Sequence, residues 1–307
     1  MVSDKSKMCF IYNPHSAGVL KRGSFLKKNH QKLNGQLHSL EKFSDVKVIV
    51  CKALKNKVSH ICIEGGDGTV HGVMTEFLKQ SSNLTLPSFI LIPGGNTNQI
   101  SRNIGIKSTS IKALEKSFKN DNTTNIPMLS ITDDKNNSYY GFLFSSGALP
   151  QMTEYTKKRF HQRGIGGSAA VLGGMIKGLK KKNKIVQPTK IKINIETLKN
   201  HTIDSLHFGS IITTLPSLIL KLDPFWGKEE FPLRFTYASS DYKRFFKNVI
   251  SLWFGKKNKS RKKYGLFSWN ANKIIFKYTG PCMLDGELLK LSDSFIVSST
   301  KPIKFIR

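Results

Sequence analysis

Three apolar runs in the first hundred residues each end in a polar turn that carries glycine, and this pattern restricts the fold more than any other feature. Met8–Tyr12 runs into Asn13-Pro14-His15-Ser16-Ala17-Gly18, Ile61–Ile63 into Gly65-Gly66-Asp67-Gly68-Thr69, and Phe89–Ile92 into Pro93-Gly94-Gly95-Asn96-Thr97-Asn98. Such short runs, rich in β-branched and aromatic residues, read as buried strands, and Val46–Val50 reads as another. Leu20–Leu40, His71–Lys79 and Ser110–Lys119 read as helices between and after them. Strand–helix alternation predicts an α/β domain around a parallel sheet, with ligand-binding loops at the carboxyl ends of its strands.

From about Asn125 the texture changes to strands separated by polar turns: Asn125–Thr132, Tyr139–Phe144, Lys190–Thr197, Leu206–Thr214, Leu233–Tyr237, Lys273–Tyr278 and Phe295–Ser298. Asp134-Lys135-Asn136-Asn137 has the residues of a hairpin turn between the first two. Two helical stretches, about Gln151–Lys182 and Asp241–Trp253, interrupt the strands. The expected organisation is an α/β domain over 7–124 and a β-rich, sandwich-like domain over 125–307. The final residues are free to return to the first domain, and the active site is expected in the cleft between the two.

Turns without side chains let backbone N–H groups approach phosphate oxygens, and the start of a following helix adds favourable dipole charge. One glycine turn signals little, because glycine also simply ends strands; three at the same end of one sheet point to phosphate. The Gly-x4-Gly-Lys-Ser/Thr pattern of a P-loop is absent. Gly164-Ile165-Gly166-Gly167-Ser168-Ala169 imitates a dinucleotide fingerprint but lacks the strand, the helix and the later acid that the fingerprint needs, and reads as a flexible turn.

Lys and Arg number 49 against 20 Asp and Glu, a formal charge of +29, which attracts polyanions. Two runs concentrate it: Lys177–Lys184 with five lysines, and Lys256–Lys263 with five lysines and Arg261. The second follows Leu252-Trp253-Phe254, an aromatic group suited to a headgroup interface. A solvated basic face is the plain alternative, and the overall charge tips the reading towards an anionic membrane surface. No nucleic-acid recognition module is visible, so specific nucleic-acid binding is not expected. The longest charge-free stretch, Ser205–Leu220, contains Pro216 and falls short of the roughly 18 apolar residues of a membrane span. Cys9, Cys51, Cys62 and Cys282 are scattered without ligand spacing, as reduced thiols of a cytosolic protein would be. Peripheral attachment to a membrane from the cytoplasm is the expected location.

Taken together, the three loops resemble the diacylglycerol kinase catalytic family, which includes sphingosine and ceramide kinases and is distantly related to NAD kinases. Gly65-Gly66-Asp67-Gly68-Thr69 is similar to its central motif, and Asn13–Gly18 resembles its Asn-Pro-x-Ser-Gly element with one residue inserted. Gly95-Asn96-Thr97-Asn98 with Arg102 resembles its third loop, and Asp285-Gly286-Glu287 its C-terminal Asp-Gly-Glu. Two positions depart from the pattern: Gly72 stands where the family commonly has an acid, and Gln99 where it often has Asp. The metal-binding Asp-Gly-x-Leu-Asp segment of some bacterial members has no counterpart at Leu222–Gly227, so no structural metal site is carried over.

The resemblance implies an ATP- and Mg2+-dependent lipid kinase acting on the hydroxyl of diacylglycerol, a sphingoid base or a similar lipid. Gly65, Gly66, Gly68 and Thr69 would cradle the phosphates, with Asn13, Ser16, Gly95, Asn96, Thr97 and Asn98 flanking the nucleotide. Asp67 and Glu287 both stand as the general base; taken by itself, Asp67 also reads as a helix-capping turn residue and Asp285–Glu287 as an ordinary hairpin turn. Glu64, beside the central loop, reads as neutralised or turned away, with Mg2+ binding as its alternative. A kinase of a soluble hydroxyl, or a decayed nucleotide- or lipid-binding protein, are the competing functions.

Overall fold

The computed structural model describes residues 8–33, 35–80, 85–104, 110–119, 122–160, 186–218, 223–240 and 265–307. It divides into two compact units, Met1–Pro127 together with Lys301–Arg307, and Met128–Thr300. The chain therefore leaves the first unit and returns to it with its last residues.

In the first unit, β1 (Met8–Tyr12), α1 (Ala17–Arg22), α2 (Phe25–Leu33), β2 (Gly35–Ser39), α3 (Asp45–Lys55), β3 (His60–Gly65), α4 (Asp67–Gln80), β4 (Ser88–Pro93), α5 (Gln99–Ile104), α6 (Ile111–Lys119) and β5 (Thr123–Ile126) follow one another. The C-terminal strand β17 (Ile303–Ile306) completes a six-stranded sheet of order β2-β1-β3-β4-β17-β5. β1, β2, β3 and β4 are mutually parallel, β17 is parallel to β4, and β5 runs antiparallel to β17. β1 and β3 are neighbours, while β2 lies on one side of them and β4 on the other, so the order of the sheet reverses between β1 and β3. Ligands of open α/β sheets bind beyond the strand ends at such a point. Phe10, Leu26, Cys62, Ile90, Ile92 and Leu114 pack into the core there.

Two local readings of the sequence need correction. Val46–Val50 belongs to helix α3, not to a strand: Val46, Ile49, Val50 and Ala53 are buried at helical spacing, a period that a five-residue window is too short to reveal. The strand expected there is β2, whose sequence Gly-Gln-Leu-His-Ser has little apolar content because it lies at the sheet's edge. The helix expected over Leu20–Leu40 is broken by Gly23, whose φ of 78° lies outside the helical region, and ends before β2.

The second unit is antiparallel. It contains β6 (Leu129–Asp133), β7 (Ser138–Gly141), β8 (Leu143–Gly147), α7 (Ala148–Phe160), β9 (Thr189–Glu196), β10 (His201–Thr213), β11 (Leu233–Ser239), β12 (Leu266–Ala271), β13 (Lys273–Lys277), β14 (Cys282–Leu284), β15 (Glu287–Leu289) and β16 (Ser294–Ser299). The main path of its curled sheet is β15-β14-β8-β10-β9-β13-β16-β6-β7, with β11 joining β10 to β12. Ile191, Ile193 and Ile195 of β9 are buried and alternate with exposed Lys190, Lys192 and Asn194, the two-residue period of a strand with one wet face. Phe276 stacks on Phe295 at 4.9 Å, and Phe144 meets the two edge-on at 5.7 and 5.8 Å. Each such ring, fully buried, contributes roughly 1.5–3 kcal/mol.

Asp133 to Asn137 make the expected turn between β6 and β7, with Asp133 accepting the N–H groups of Lys135 and Asn137. Of the helix expected over Gln151–Lys182, α7 is the described part. Gly164–Ala169, both basic runs, and the helix expected over Asp241–Trp253 lie outside the described residues. Among those described, no helix is long and apolar enough to cross a membrane. Cys9, Cys62 and Cys282 are buried free thiols; burial pushes Cys9 and Cys282 up to about 12, so they behave as small core residues and not as nucleophiles.

Candidate active site

The three loops of the first unit touch through their backbones. Gly94 N–H donates to the Gly65 carbonyl at 2.8 Å, and Gly18 N–H donates to the Gly94 carbonyl at 2.8 Å. A Cβ on Gly94 would lie 2.8 Å from Gly65 Cα, and one on Gly95 would lie 2.6 Å from Gly66 Cα. Both places in the third loop exclude any side chain; in the second loop a Cβ on Gly65 would lie 2.6 Å from Thr69 Cβ. Gly68 differs: a Cβ there would meet nothing within 4 Å. It is exposed at the first turn of α4, where the loop keeps an open flank.

Side chains lock the first loop onto the second. Asn13 Nδ2 donates to Thr69 Oγ1 at 2.9 Å, and Asn13 Oδ1 accepts the His15 N–H at 2.9 Å. Ser16 occupies the cap position of α1, yet its hydroxyl accepts the Gly66 N–H at 3.3 Å from the second loop. In the third loop Asn98 folds back on Gly95: its Oδ1 accepts the Gly95 N–H and its Nδ2 donates to the Gly95 carbonyl, both at 2.8 Å. Its φ of 48° is one that asparagine tolerates better than most residues. Asn96 is exposed and Thr97 half-buried in the same turn, so ten of the expected nucleotide residues come together at the switch point of the sheet.

Asp67 reaches the third loop. Its Oδ2 accepts the Gln99 N–H and its Oδ1 the Ile100 N–H, each at 3.0 Å. It therefore caps α5, a neighbouring helix, where a capping Asp would ordinarily serve its own. This holds the second and third loops in register.

Glu64 points away from the loops. It is fully buried, and its carboxylate accepts the Ser24 hydroxyl at 2.6 Å and the N–H groups of Phe25 and Leu26 at 2.9 and 3.0 Å. Arg22 closes the ion pair at 3.2 Å and also donates to the Pro93 carbonyl. Glu64 thus completes the N-terminus of α2, with Ser24 accepting the Lys27 N–H as its cap. This turned-away state matches one of the two readings of Glu64 and leaves it no open oxygen for a metal beside the phosphates. Sequence reasoning missed Arg22 and Ser24, although Arg-Gly-Ser before an apolar helix face is a helix-start signal.

Glu287 belongs to the second unit. Asp285 and Gly286 form the two-residue turn between β14 and β15, with φ values of 48° and 93° suited to an Asp-Gly hairpin. The Asp285 carboxylate accepts the Phe142 N–H at 3.0 Å and the Leu143 N–H at 2.8 Å, which ties the turn to β8. Glu287 opens β15 and is exposed.

Among the described residues no cluster of three His, Cys, Asp or Glu side chains could hold a metal by itself. That donor set fits Mg2+ only as an ion carried by phosphates, which needs one or two carboxylates at most.

Residues 7–131 match the diacylglycerol kinase catalytic domain, as the loop motifs led us to expect. A diacylglycerol kinase from Bacillus anthracis str. Sterne is 14% identical, with a TM-score of 0.63 over 98% of this chain and 96% of that one. An NAD kinase from Archaeoglobus fulgidus, in complex with ATP, is 11% identical, with a TM-score of 0.50 over 98% of this chain and 93% of that one. At these identities the likeness is one of fold. No curated protein matches the chain. The matched domain and the fold together support a kinase.

Proposed function

We propose that the protein transfers the γ-phosphoryl group of ATP, with Mg2+, to the hydroxyl of a lipid such as diacylglycerol or a sphingoid base. The observation that carries the reading is the contact of three glycine loops at the β1/β3 switch point, with the Gly68 flank left open. Such a site can hold a polyphosphate on backbone N–H groups.

Phosphoryl transfer asks a protein mainly to position phosphates and to offset developing charge. Gly65, Gly66, Gly68 and Thr69 line the phosphate loop, and the N-terminus of α4 adds its dipole. Asn13 and Ser16 fix that loop from one side; Asp67 holds the start of α5, directly after Gly95–Asn98, from the other. Mg2+ bound with ATP would neutralise the phosphate charge, with Asp67 as its carboxylate, since each of its oxygens spends one lone pair on an N–H. The acceptor hydroxyl must lose a proton, for which Asp67 and Glu287 are the two candidates.

The lipid acceptor and an anionic membrane surface as partner are supported by the net charge of +29 and the basic runs. Basic residues close to such a surface contribute about 1 kcal/mol each. The test is incubation of the purified chain with labelled ATP, Mg2+ and a mixed lipid extract, beside parallel reactions with NAD as a soluble acceptor. A labelled lipid that disappears in the Glu287→Gln or Asp67→Ala variants supports the proposal. Label on NAD alone would overturn the lipid assignment, and ATP binding without turnover on any acceptor would overturn the kinase assignment.

A further inference from the structure

The loop between β2 and α3 carries two side chains that none of the nucleotide motifs account for. Phe43 is 63% exposed, an unusual state for a phenylalanine in the well-packed first unit. The tip of its ring points at Gly72 of α4: a Cβ on Gly72 would sit 1.9 Å from Phe43 Cζ and within 2.9 Å of the two Cε atoms. Residue 72 must be glycine while the ring is there. The edge of the ring is thus seated on bare helix backbone one turn beyond Asp67-Gly68-Thr69, and most of the residue is open to solvent.

Glu41, two residues earlier, is exposed and oriented. Ser39 Oγ donates to Glu41 Oε1 at 2.6 Å, and His15 Nε2 lies 3.8 Å from Glu41 Oε2. The loop itself is fastened beside the first glycine turn, because Leu40 N–H donates to the Tyr12 carbonyl at 2.9 Å, next to Asn13. Lys42 N–H donates to Asp45 Oδ2 at 3.0 Å, and Val46 N–H to the Phe43 carbonyl at 3.3 Å, so Phe43 is fixed at the start of α3. β2 is parallel to β1, and its carboxyl end lies at the same edge of the sheet as the phosphate loops. An aromatic face and a carboxylate at that edge suit the two ends of a nucleoside. Bases stack on aromatic rings, and a carboxylate after the second strand of such folds accepts ribose hydroxyls.

We infer that Phe43 and Glu41 form the nucleoside end of the nucleotide site: the Phe43 ring stacks on the purine base, and Glu41 accepts hydrogen bonds from the ribose. The inference rests on the reading of the chain as an ATP-using kinase. It also gives Gly72 a purpose, since the acid that related kinases commonly carry there would displace the ring.

Calorimetric titration of the full chain with ATP and with inorganic tripolyphosphate, both with Mg2+, separates the inference from the reading beneath it. Phe43→Ala is expected to weaken ATP binding by roughly tenfold and to leave tripolyphosphate binding unchanged, because tripolyphosphate has no base to stack. Phe43→Tyr should restore ATP binding. Glu41→Gln should weaken ATP binding but not that of 2′,3′-dideoxy-ATP. Equal ATP affinity in wild type and Phe43→Ala, or parallel loss of ATP and tripolyphosphate binding, overturns the inference and leaves the kinase reading standing. A wild-type chain that binds neither compound brings down both.

Discussion

The Asp67 carboxylate accepts the N–H of Ile100 at 3.0 Å, and through its other oxygen that of Gln99, so the acid of the central motif holds the helix that follows the third loop. Asn in its place would keep one acceptor oxygen and turn an amide N–H towards the second donor. Loss of one such cap costs about 1 kcal/mol. We therefore expect Asp67→Asn to lower the thermal midpoint by about 2–4 °C and ATP affinity by about fivefold. Glu287→Gln changes a residue of the second unit and should leave both quantities at wild-type values. If Glu287 takes the acceptor's proton, it alone lowers kcat by about 10²–10⁴ with unchanged ATP binding. Near-normal turnover in Glu287→Gln, with a loss of that size in Asp67→Asn, would assign the proton to Asp67. Thermal melts, ATP titration and initial rates on the two variants decide it.

Glu64 offers a sharper test of stability. Its buried carboxylate satisfies the Ser24 hydroxyl, two α2 N–H groups and Arg22, and removing it strands all of them at once. Such losses cost about 3–5 kcal/mol when a buried charge pair is broken. Glu64→Ala should show a fall of that order in urea unfolding. Ser24→Ala, which removes the cap but leaves the acid, should lose about 1 kcal/mol. Equal, small effects from both would mean that Glu64 is not the anchor of α2.

How much of this was legible in the sequence varies with the physics involved. Glycine turns after apolar runs identified the loops, because glycine is needed where backbones approach closely, as at Gly94 and Gly95. The β-rich half was legible from alternation such as Lys190–Glu196. The place of Val46–Val50 was not, since a run of β-branched residues satisfies a strand and a helix face equally until Ala53 is counted with it. The partners of Asp67 and Glu64 were hidden for another reason. Each acid bonds N–H groups 32 to 39 positions away, and no local pattern encodes such a contact. Phe43 went unnoticed because its meaning comes from Gly72, which looked like a plain departure from the family's pattern.

His207 sets an acid limit on the second unit. It is fully buried, stacked on Tyr237 at 6.1 Å, and its ring nitrogens lie 3.2 Å from Ser146 Oγ and 3.0 Å from the Thr189 carbonyl. Burial holds its pKa below the ordinary 6.5, against a smaller opposite effect of the Thr189 carbonyl. His38 and His60 are shifted the same way, by burial first and by nearby lysines second. Protonation at these sites favours the unfolded chain. Their contribution is therefore complete above pH 6.5 and declines as pH falls through 6.5 towards the folded values. Urea midpoints should drop between about pH 7.5 and 5.5, and His207→Gln should flatten that slope. A slope unchanged by the substitution would remove His207 as a source.

Asp285 and Glu287 sit in one turn but should fail in different ways. Asp285 holds the hairpin to β8 through the N–H groups of Phe142 and Leu143, and its φ of 48° costs an ordinary residue more than Asp or Asn. Asp285→Asn keeps the backbone preference and one acceptor oxygen, and should lose about 1 kcal/mol. Asp285→Ala loses both oxygens and adds strain, for about 2–4 kcal/mol in total. Gly286→Ala isolates the backbone effect, because a Cβ there would meet nothing within 4 Å while φ is 93°. It should cost about 1–2 kcal/mol. If the turn serves to aim Glu287, Asp285→Asn will also lower kcat at unchanged KM for ATP, by more than its small loss of stability accounts for. Activity that follows stability alone across the three variants would leave Asp285 a purely structural part of the hairpin.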